Sequence, residues 1–257
     1  DAPLAPSVAP GTERIGVLLA YAPVHHLLVP DMPLVFTSGN LADEPIAFTP
    51  ADAFARFEGL ADGVLFHDRP IHAPADDSVM RVALGAELPI RRSRGYAPYP
   101  VSLPFGVEPV LAVGGELKAT VCVAREQQAF LSAHIGDVEN LETERAMTRS
   151  VAHLQRLFGV QPRRVACDLS PAYRSSTWAA RYAAERGVAL HRVQHHHAHV
   201  AALMAEHGLP GTARILGVAF DVDEEHVVPL AALRGARLDA RQVDAMLRER
   251  TQQPVQR

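Results

Sequence analysis

Helical and strand patterns alternate from Asn140 onward, and this order constrains the fold more than any other feature of the chain. Asn140 can cap a helix whose apolar residues recur at Met147, Val151 and Leu154, and Gly159 is placed to end it. A strand pattern at 164–167, a capped helix at 175–187 and a strand pattern at 188–193 follow. Strands that alternate with helices favour parallel pairing, so the sequence predicts an α/β domain.

Three apolar runs precede that helix, at 110–115, 119–124 and 129–132, with short polar segments between them. They predict three strands in an antiparallel meander. Three strands followed by alternating helix and strand is the order of the ribonuclease-H-like lobe of the actin and sugar-kinase type of fold. Fold alone does not fix function, so the chemistry has to come from particular residues.

Four histidines fall within five positions in the segment 193–204, between a predicted strand and a predicted helix. On a helix, His195 and His199 lie on one face, which is the spacing of many metal sites. The alternative is a polar helix start with solvated histidines. A predicted strand at 215–220 delivers Asp221, which is either a third ligand or a turn former.

Polar segments in the first hundred residues suit phosphate binding. A predicted strand at 32–36 runs into Thr37, Ser38, Gly39 and Asn40, whose hydroxyls and backbone amides can bind a nucleotide. The alternative is a plain turn, which these residues favour when they are taken alone. Arginines at 91, 92 and 94 suit a polyphosphate, or form a solvated basic turn. Further strands are predicted at 15–20, 64–66 and 78–83, and helices at 22–28 and 49–57.

Composition bounds the class of protein. The net charge of -4 gives no reason to expect nucleic-acid binding, and no apolar run approaches the roughly 20 residues that span a membrane. Two cysteines without a Cys-x-x-Cys pattern favour a reducing, cytoplasmic setting. Prolines cluster between 98 and 109, which predicts one domain at 1–102, a linker at 103–109 and a second domain at 110–257.

Eight segments together resemble the HypF family, the carbamoyltransferases of NiFe-hydrogenase maturation. Four are similar to the later part of its YrdC-like domain: 37–45 (TSGNLADEP), 65–71 (LFHDRPI), 76–81 (DDSVMR) and 91–98 (RRSRGYAP). Four are similar to its TsaD-like domain: 111–120 (LAVGGELKAT), 130–143 (FLSAHIGDVENLET), 165–169 (VACDL) and 193–200 (VQHHHAHV). The resemblance implies a partial YrdC-like mixed α/β domain followed by the first ribonuclease-H-like lobe of a TsaD-like domain.

The resemblance also implies an activity. Members of this family take carbamoyl phosphate and ATP, with Mg, form carbamoyl adenylate and release AMP. They pass the carbamoyl group to the C-terminal cysteine of the partner protein HypE, toward the cyanide ligands of the NiFe site. The YrdC-like domain forms the adenylate and the TsaD-like domain performs the transfer.

Site residues follow from the same resemblance. The nucleotide site would include Thr37, Ser38, Asn40 and Ser78, and the catalytic groups would be Arg91, Arg92, Arg94, His67 and Arg69. His195, His199 and Asp221 would hold a divalent metal, and two histidines with a carboxylate suit either iron or zinc.

Parts of the family pattern are missing from the chain. Neither the acylphosphatase-like domain nor the zinc fingers are present, the Lys-x-Arg nucleotide motif is absent, and the segment 222–226 replaces a glycine-rich phosphate loop. We therefore expect an incomplete enzyme with an unplaced tail at 222–257 and residues absent somewhere between 221 and 235. The alternatives are a small-molecule O-carbamoyltransferase, a catalytically silent metal- or nucleotide-binding module, and a tRNA threonylcarbamoyl enzyme, which the charge disfavours.

Overall fold

The structure is a computed structural model, and it describes residues 5–11, 15–28, 32–42 and 44–217. These residues form two units. The first contains the described residues within 1–42 and 46–70, and the second contains those within 43–45 and 71–257. Asp221 and the tail at 222–257 lie outside the described residues, as does any break in the chain between 221 and 235.

Two α-helices and a short 3-10 helix, Pro6–Val8, form the regular structure in the described part of the first unit. Helix α1 spans Pro23–Leu28 and helix α2 spans Pro50–Phe57, where the Thr49 hydroxyl accepts a hydrogen bond from the Asp52 amide at 3.2 Å. Proline at the first helical position fixes a helical φ without losing a needed donor, and both helix predictions are confirmed.

The three strands predicted in this unit are wrong. The described residues of 15–20, 32–36 and 64–66 are irregular, and most of their apolar side chains are exposed. A strand forms when its backbone amides and carbonyls pair with a neighbouring strand, and no described segment of this unit supplies such a ladder. Local β propensity alone therefore did not decide the structure here.

A hairpin opens the second unit. Strand β1 (Val79–Ala83), which the alternation from Ser78 predicts, pairs antiparallel with β2 (Ala86–Arg91), which was not predicted as a strand. Leu84 and Gly85 connect them with φ values of 52° and 77°. Two consecutive positive φ values give the turn a twist that matches the twist of the paired strands.

A four-stranded sheet forms the centre of the second unit, in the order β4-β3-β5-β6. Strand β3 (Val101–Val113) pairs antiparallel with β4 (Val121–Leu131) and parallel with β5 (Arg164–Asp168), which pairs parallel with β6 (Ala189–Val193). The mixed α/β class and the alternation of helix and strand are confirmed.

The predicted three-strand meander is wrong, because 119–124 and 129–132 belong largely to one strand, β4. The polar residues 125–128 resembled a turn, but they continue the strand with exposed side chains. Glu126 has a φ of 52°, and the β3–β4 register shifts on either side of its partner Val107. Bulges therefore absorb the irregularity that a turn was expected to make.

The linker predicted at 103–109 is also wrong as a local structure, because these residues lie inside β3. Pro104 falls in the register shift between Ser102 and Val107, and Pro109 falls in the shift between Val107 and Val110. A proline has no amide hydrogen, and it is tolerated in a strand at such irregular positions. The division into domains at 1–102 and 110–257 stays a prediction.

Three helices contact the strands of this sheet in the described residues: α3 (Leu141–Phe158), α4 (Arg174–Arg186) and α5 (His195–Glu206). Asn140 caps α3 by accepting from the Thr143 amide at 2.9 Å. Gly159 and Gly187 end α3 and α4 in the left-handed conformation, so both predicted helices and their glycine ends are confirmed. The predicted side-chain cap at the start of α4 is wrong, because the residue before the helix is Tyr173, whose side chain makes no capping hydrogen bond.

One apolar core joins α3 and α4 to the sheet. Its fully buried members include Leu111, Val121, Val123, Met147 and Val165. Residues 215–217 form no strand, so the strand predicted at 215–220 is absent where it is described. None of the described helices is long and apolar enough to cross a membrane.

Candidate functional site

The candidate site lies where β5 and β6 end and α5 begins. Asp168 is the last residue of β5, and it stands beside Val193, the last residue of β6, in the parallel ladder. Gln194 follows, and its side chain caps α5 by accepting from the His197 amide at 2.8 Å. Ligand sites of open α/β sheets form at this carboxyl edge of parallel strands.

His195 and His199 meet on one face of α5, as their spacing predicts. Their Nε2 atoms are 3.1 Å apart, and their ring centroids are 4.8 Å apart. Two nitrogens bound to one tetrahedral zinc ion at its usual bond length lie roughly 3.3 Å apart. The pair therefore already has a separation close to that of two ligands of one cation.

The neighbouring histidines take no part in this pair. His196 is buried, and its Nδ1 lies 2.9 Å from the Gln194 side-chain amide. His197 lies one position further along the helix, on a different face from His195 and His199. The four clustered histidines therefore separate into one candidate ligand pair and two residues with other surroundings.

Asp168 holds the first histidine of the pair. Its Oδ2 atom lies 2.8 Å from His195 Nδ1, and its side chain is 8% exposed. Its other oxygen, Oδ1, accepts from the Ser170 amide at 2.8 Å. Asp168 is not among the site residues predicted from the sequence, although an acidic residue at the end of a predicted strand is a signal that could have indicated it.

Glycine at position 115 leaves room for the His195 ring. A Cβ atom there would lie 3.3 Å from His195 Cε1 and 3.6 Å from its Nδ1, with the Tyr173 ring at 3.8 Å. The first of these separations is tighter than ordinary van der Waals contact. The backbone after β3 therefore packs directly against the ring that Asp168 orients.

A second carboxylate lies at the amino end of α4. Burial raises the pKa of the Glu116 carboxyl, while the backbone amides of Arg174 and Ser175 oppose that shift. Within the described residues, Glu116 Oε2 and Ser175 Oγ are buried without a hydrogen-bond partner. This carboxylate supplies the negative charge that favours a helix start, since Tyr173 offers no side-chain cap.

Donor chemistry at the site suits a divalent metal. Two imidazole nitrogens on one helical turn are ligands for zinc or iron, and a carboxylate would complete a common set. The predicted carboxylate, Asp221, lies outside the described residues, and no group of three ligand side chains occurs within them. Gly217, the last described residue, packs against Val200 in the turn of α5 that follows His199.

The arginine-rich turn after β2 is held together by its own side chains. Arg92 Nη2 donates to the carbonyls of Tyr96 and Tyr99 at 2.8 and 3.2 Å. Arg94 forms an ion pair with Asp77. Arg91 is exposed, and it contributes, after burial, to lowering the pKa of His134.

Ser78, predicted at the nucleotide site, fastens the same turn. Its hydroxyl donates to the Arg94 carbonyl and accepts from the Ser93 amide, both at 2.8 Å. Of the residues predicted here, Arg91 is exposed, whereas Arg92 and Ser78 bind the backbone of the turn.

The remaining predicted residues belong to the first unit. Thr37 and Ser38 are exposed in an irregular segment, where the Asn40 amide donates to the Ser38 carbonyl at 3.1 Å. The Asn40 side chain donates to the Leu41 carbonyl at 2.8 Å. His67 and Arg69 are exposed in a segment without regular structure. Their roles stay predictions.

Comparison with known sequences supports the resemblance in both parts of the chain. Residues 106–206 match the family described as "HypF Kae1-like domain", and residues 1–93 match the Sua5, YciO and YrdC family described as "Telomere recombination". A curated relative, "Carbamoyltransferase HypF" of Synechocystis sp., is 44% identical over 221 residues, covering 85% of this chain and 28% of the relative. The protein of the same name from Rhizobium leguminosarum bv. viciae is 44% identical over 223 residues, covering 83% and 29%.

Solved structures agree with these matches. A full-length HypF in its phosphate- and nucleotide-bound form is 40% identical with a TM-score of 0.71, covering 80% of this chain and 32% of that one. T. kodakarensis HypF is 38% identical with a TM-score of 0.73, covering 80% and 28%. The chain thus spans less than a third of the length of these relatives. It belongs to the HypF family, and it joins part of a YrdC-like domain to part of a Kae1-like, or TsaD-like, domain.

Proposed function

We propose that this chain is part of a carbamoyltransferase that uses ATP and carbamoyl phosphate to carbamoylate the C-terminal cysteine of a HypE-like protein in hydrogenase maturation. The observation that carries the proposal is the His195–His199 pair, 3.1 Å apart at the sheet edge of a chain whose relatives are named carbamoyltransferases. The nucleotide in a related full-length HypF supports ATP as a substrate. A cytoplasmic location is part of the proposal, supported by the two free cysteines.

The first step would be adenylation in the YrdC-like part. Cleavage of carbamoyl phosphate by water would release phosphate and leave carbamate, which is a poor acyl donor. Attack of a carbamate oxygen on the α-phosphate of ATP would then release pyrophosphate and give the carbamoyl group AMP as its leaving group. Cationic groups must offset the negative charge that gathers at that phosphate in the transition state. We assign this role to Arg91, whose exposed guanidinium can meet phosphate, and to His67 and Arg69 as further candidates.

Arg92, Arg94 and Ser78 would support the same step indirectly. Arg92 holds the turn at residues 96–99, and Ser78 holds the backbone of Ser93 and Arg94. A fixed turn keeps the neighbouring arginine in place for a phosphate without an ordering cost at the moment of binding. Thr37, Ser38 and Asn40 would contribute hydroxyl and amide donors to the nucleotide.

The second step would take place in the TsaD-like part, where a thiolate attacks the carbamoyl carbon and AMP leaves. His195 and His199, with Asp221 as the expected third ligand, would hold an iron or zinc ion there. When bound, such an ion supplies Lewis acidity toward phosphate or carbonyl oxygen. The protein's own contribution is to hold two imidazoles on one helix face and to anchor one of them through Asp168.

Elemental analysis of untagged protein tests the metal centre. We expect about one iron or zinc ion per chain, lost in the double variant His195→Ala/His199→Ala. The matched control is His197→Ala/His207→Ala, which removes one histidine of α5 and the histidine that follows α5 and leaves the pair intact. Metal that is absent from the wild type, or that survives loss of the pair, would overturn the assignment.

Release of AMP tests the reaction. The proposal expects AMP to form from ATP only when carbamoyl phosphate is also present, and Arg91→Ala to reduce its rate while Arg81→Ala leaves it unchanged. Binding of ATP without carbamoyl-phosphate-dependent AMP would instead favour a silent nucleotide-binding module. That outcome would leave the metal measurement independent, because the two sites lie in different parts of the sequence.

A further inference from the structure

We infer that Asp168 is a positioning residue that fixes the His195 ring so that its Nε2 atom, which faces His199, carries no hydrogen. The inference rests on the metal site of the proposed function, because only an unprotonated imidazole nitrogen binds a metal. It concerns a carboxylate outside the expected ligand set of His195, His199 and Asp221.

The orientation of the Asp168 carboxylate is set by its surroundings. Oδ1 accepts from the Ser170 amide at 2.8 Å, which leaves Oδ2 directed to His195 Nδ1 at 2.8 Å. The backbone at the same residue is fixed as well, because the Asp168 carbonyl accepts from the Ser176 hydroxyl at 3.1 Å. The next amide, that of Leu169, donates to the Val193 carbonyl at 2.8 Å.

Hydrogen-bond chemistry then determines the tautomer of His195. A carboxylate oxygen only accepts, so His195 Nδ1 must carry the hydrogen of this bond. In the neutral ring the hydrogen on Nδ1 leaves Nε2 with a lone pair, which points into the 3.1 Å contact with His199 Nε2. His199 Nε2 supplies the hydrogen of that contact in the metal-free protein, and a cation would take its place.

The fit around the ring opposes a change of orientation. The edge of the ring that carries Cε1 and Nδ1 lies so close to Gly115 that a Cβ there would contact it, and the Tyr173 ring lies at the same position. The Asp168 side chain is 8% exposed and the His195 side chain is 26% exposed, so water has limited access to the bond between them. Carboxylates that orient metal-binding histidines in this way contribute substantially to metal affinity.

Asp168→Asn is the discriminating variant because it keeps the shape of the side chain and inverts one hydrogen-bonding group. The amide oxygen must stay toward the Ser170 amide, so the NH₂ group faces His195 Nδ1. His195 then accepts at Nδ1 and carries its hydrogen on Nε2, which blocks the nitrogen that faces His199. The matched control is Asp137→Asn, since Asp137 Oδ1 also accepts a backbone amide, that of Lys118, at 2.6 Å. The charge of Asp137 acts on His134, which is not part of the His195–His199 pair.

Two measurements test the inference. Zinc affinity, measured by competition with a chromophoric chelator, should fall roughly 10- to 100-fold in Asp168→Asn and stay unchanged in Asp137→Asn. Long-range ¹H–¹⁵N correlation spectra of the metal-free protein should show the His195 hydrogen on Nδ1 in the wild type and on Nε2 in Asp168→Asn. A merely structural role for Asp168 would not move the hydrogen between the two nitrogens.

The outcomes separate this inference from the proposed function. Wild-type protein with the His195 hydrogen on Nε2 would overturn the inference, even if Asp168→Asn failed to fold. Zinc affinity in Asp168→Asn equal to that of the wild type would also overturn it. Failure of the wild type to bind zinc or iron would refute the metal centre, whereas the tautomer measurement would still decide the hydrogen-bonding role of Asp168.

Discussion

Alanine at position 217 would force two parts of the second unit apart. An added Cβ would lie 2.5 Å from both Cγ atoms of Val200 and 3.1 Å from its Cβ. Rotation of the valine side chain does not remove the clash, because every staggered rotamer leaves at least one of its two methyl groups at the contact. The backbone around Gly217 must therefore move by about 1 Å to restore ordinary contact distances, or it must leave the surface of α5.

Either way of relieving the clash has a similar cost. Overpacking that shifts the backbone costs about 1–3 kcal/mol. Separation of the two segments instead exposes Val200, which is now 5% exposed, and burial of such a side chain stabilises by about 1.5–3 kcal/mol. We therefore expect Gly217→Ala to lower the free energy of unfolding by about 1–3 kcal/mol.

The companion substitution Val200→Ala isolates the cause. It removes both Cγ atoms, at a cost of roughly 1.5 kcal/mol for two buried carbon groups. In that background the remaining close contact of the new Cβ is with the Cβ of residue 200 at 3.1 Å, so a shift of a few tenths of an ångström accommodates it. The double variant should be more stable than the sum of the single effects predicts, by at least ~1 kcal/mol.

Thermal unfolding of the four proteins, followed by circular dichroism, measures this cycle. For a protein of this size, 1 kcal/mol corresponds to a change in Tm of about 2–4 °C. Additivity of the two substitutions within about 0.5 kcal/mol would refute the reasoning, because it would mean that residues 200 and 217 do not compete for space.

Two further predictions concern stability. Asn140→Ala should destabilise the protein by about 2–3 kcal/mol, since it removes a helix cap and leaves the buried Thr143 hydroxyl without the Asn140 acceptor at 3.0 Å. Asn140→Asp keeps an acceptor oxygen, so its free energy of unfolding in urea should stay within about 0.5 kcal/mol of the wild-type value. Desolvation raises the pKa of the Cys122 thiol from 9.0 to about 11, so the folded state holds this proton more tightly than the unfolded state. That contribution to stability is fully present below pH 9 and is lost as pH rises toward 11. The free energy of unfolding of the wild type should therefore fall more than that of Cys122→Ala over this range, and an equal loss in the two proteins would contradict the prediction.

Sequence patterns were sufficient for the helices of both units because their signals are local. Thr49, Asn140 and Gly187 each set a helix end through hydrogen bonds or backbone conformations within a few residues. Strands depended on partners instead. The segment 15–20 has strand composition but no ladder among the described residues, while the polar stretch 125–128 continues β4 because β3 lies alongside it.

The same difference between local and long-range interactions decided which parts of the candidate site could be predicted. His195 and His199 were predictable because four residues on a helix fix their relation. The bond from Asp168 to His195 was not, because it joins residues 27 positions apart and depends on the pairing of β5 with β6. The engagement of Arg92 with the carbonyls of Tyr96 and Tyr99 likewise appears only once the turn after β2 is folded.

Trp178 gives the protein an internal optical reporter. It is the single tryptophan of the chain, it stacks on Tyr182 with ring centroids 5.0 Å apart, and its indole nitrogen donates to the Thr148 hydroxyl at 2.9 Å. Because it belongs to α4 and its side chain binds Thr148 of α3, its emission follows the packing of these helices in the second unit. An unfolding curve recorded by tryptophan emission therefore describes that unit, and a first unit that melts separately would change the far-ultraviolet signal while the emission stays constant.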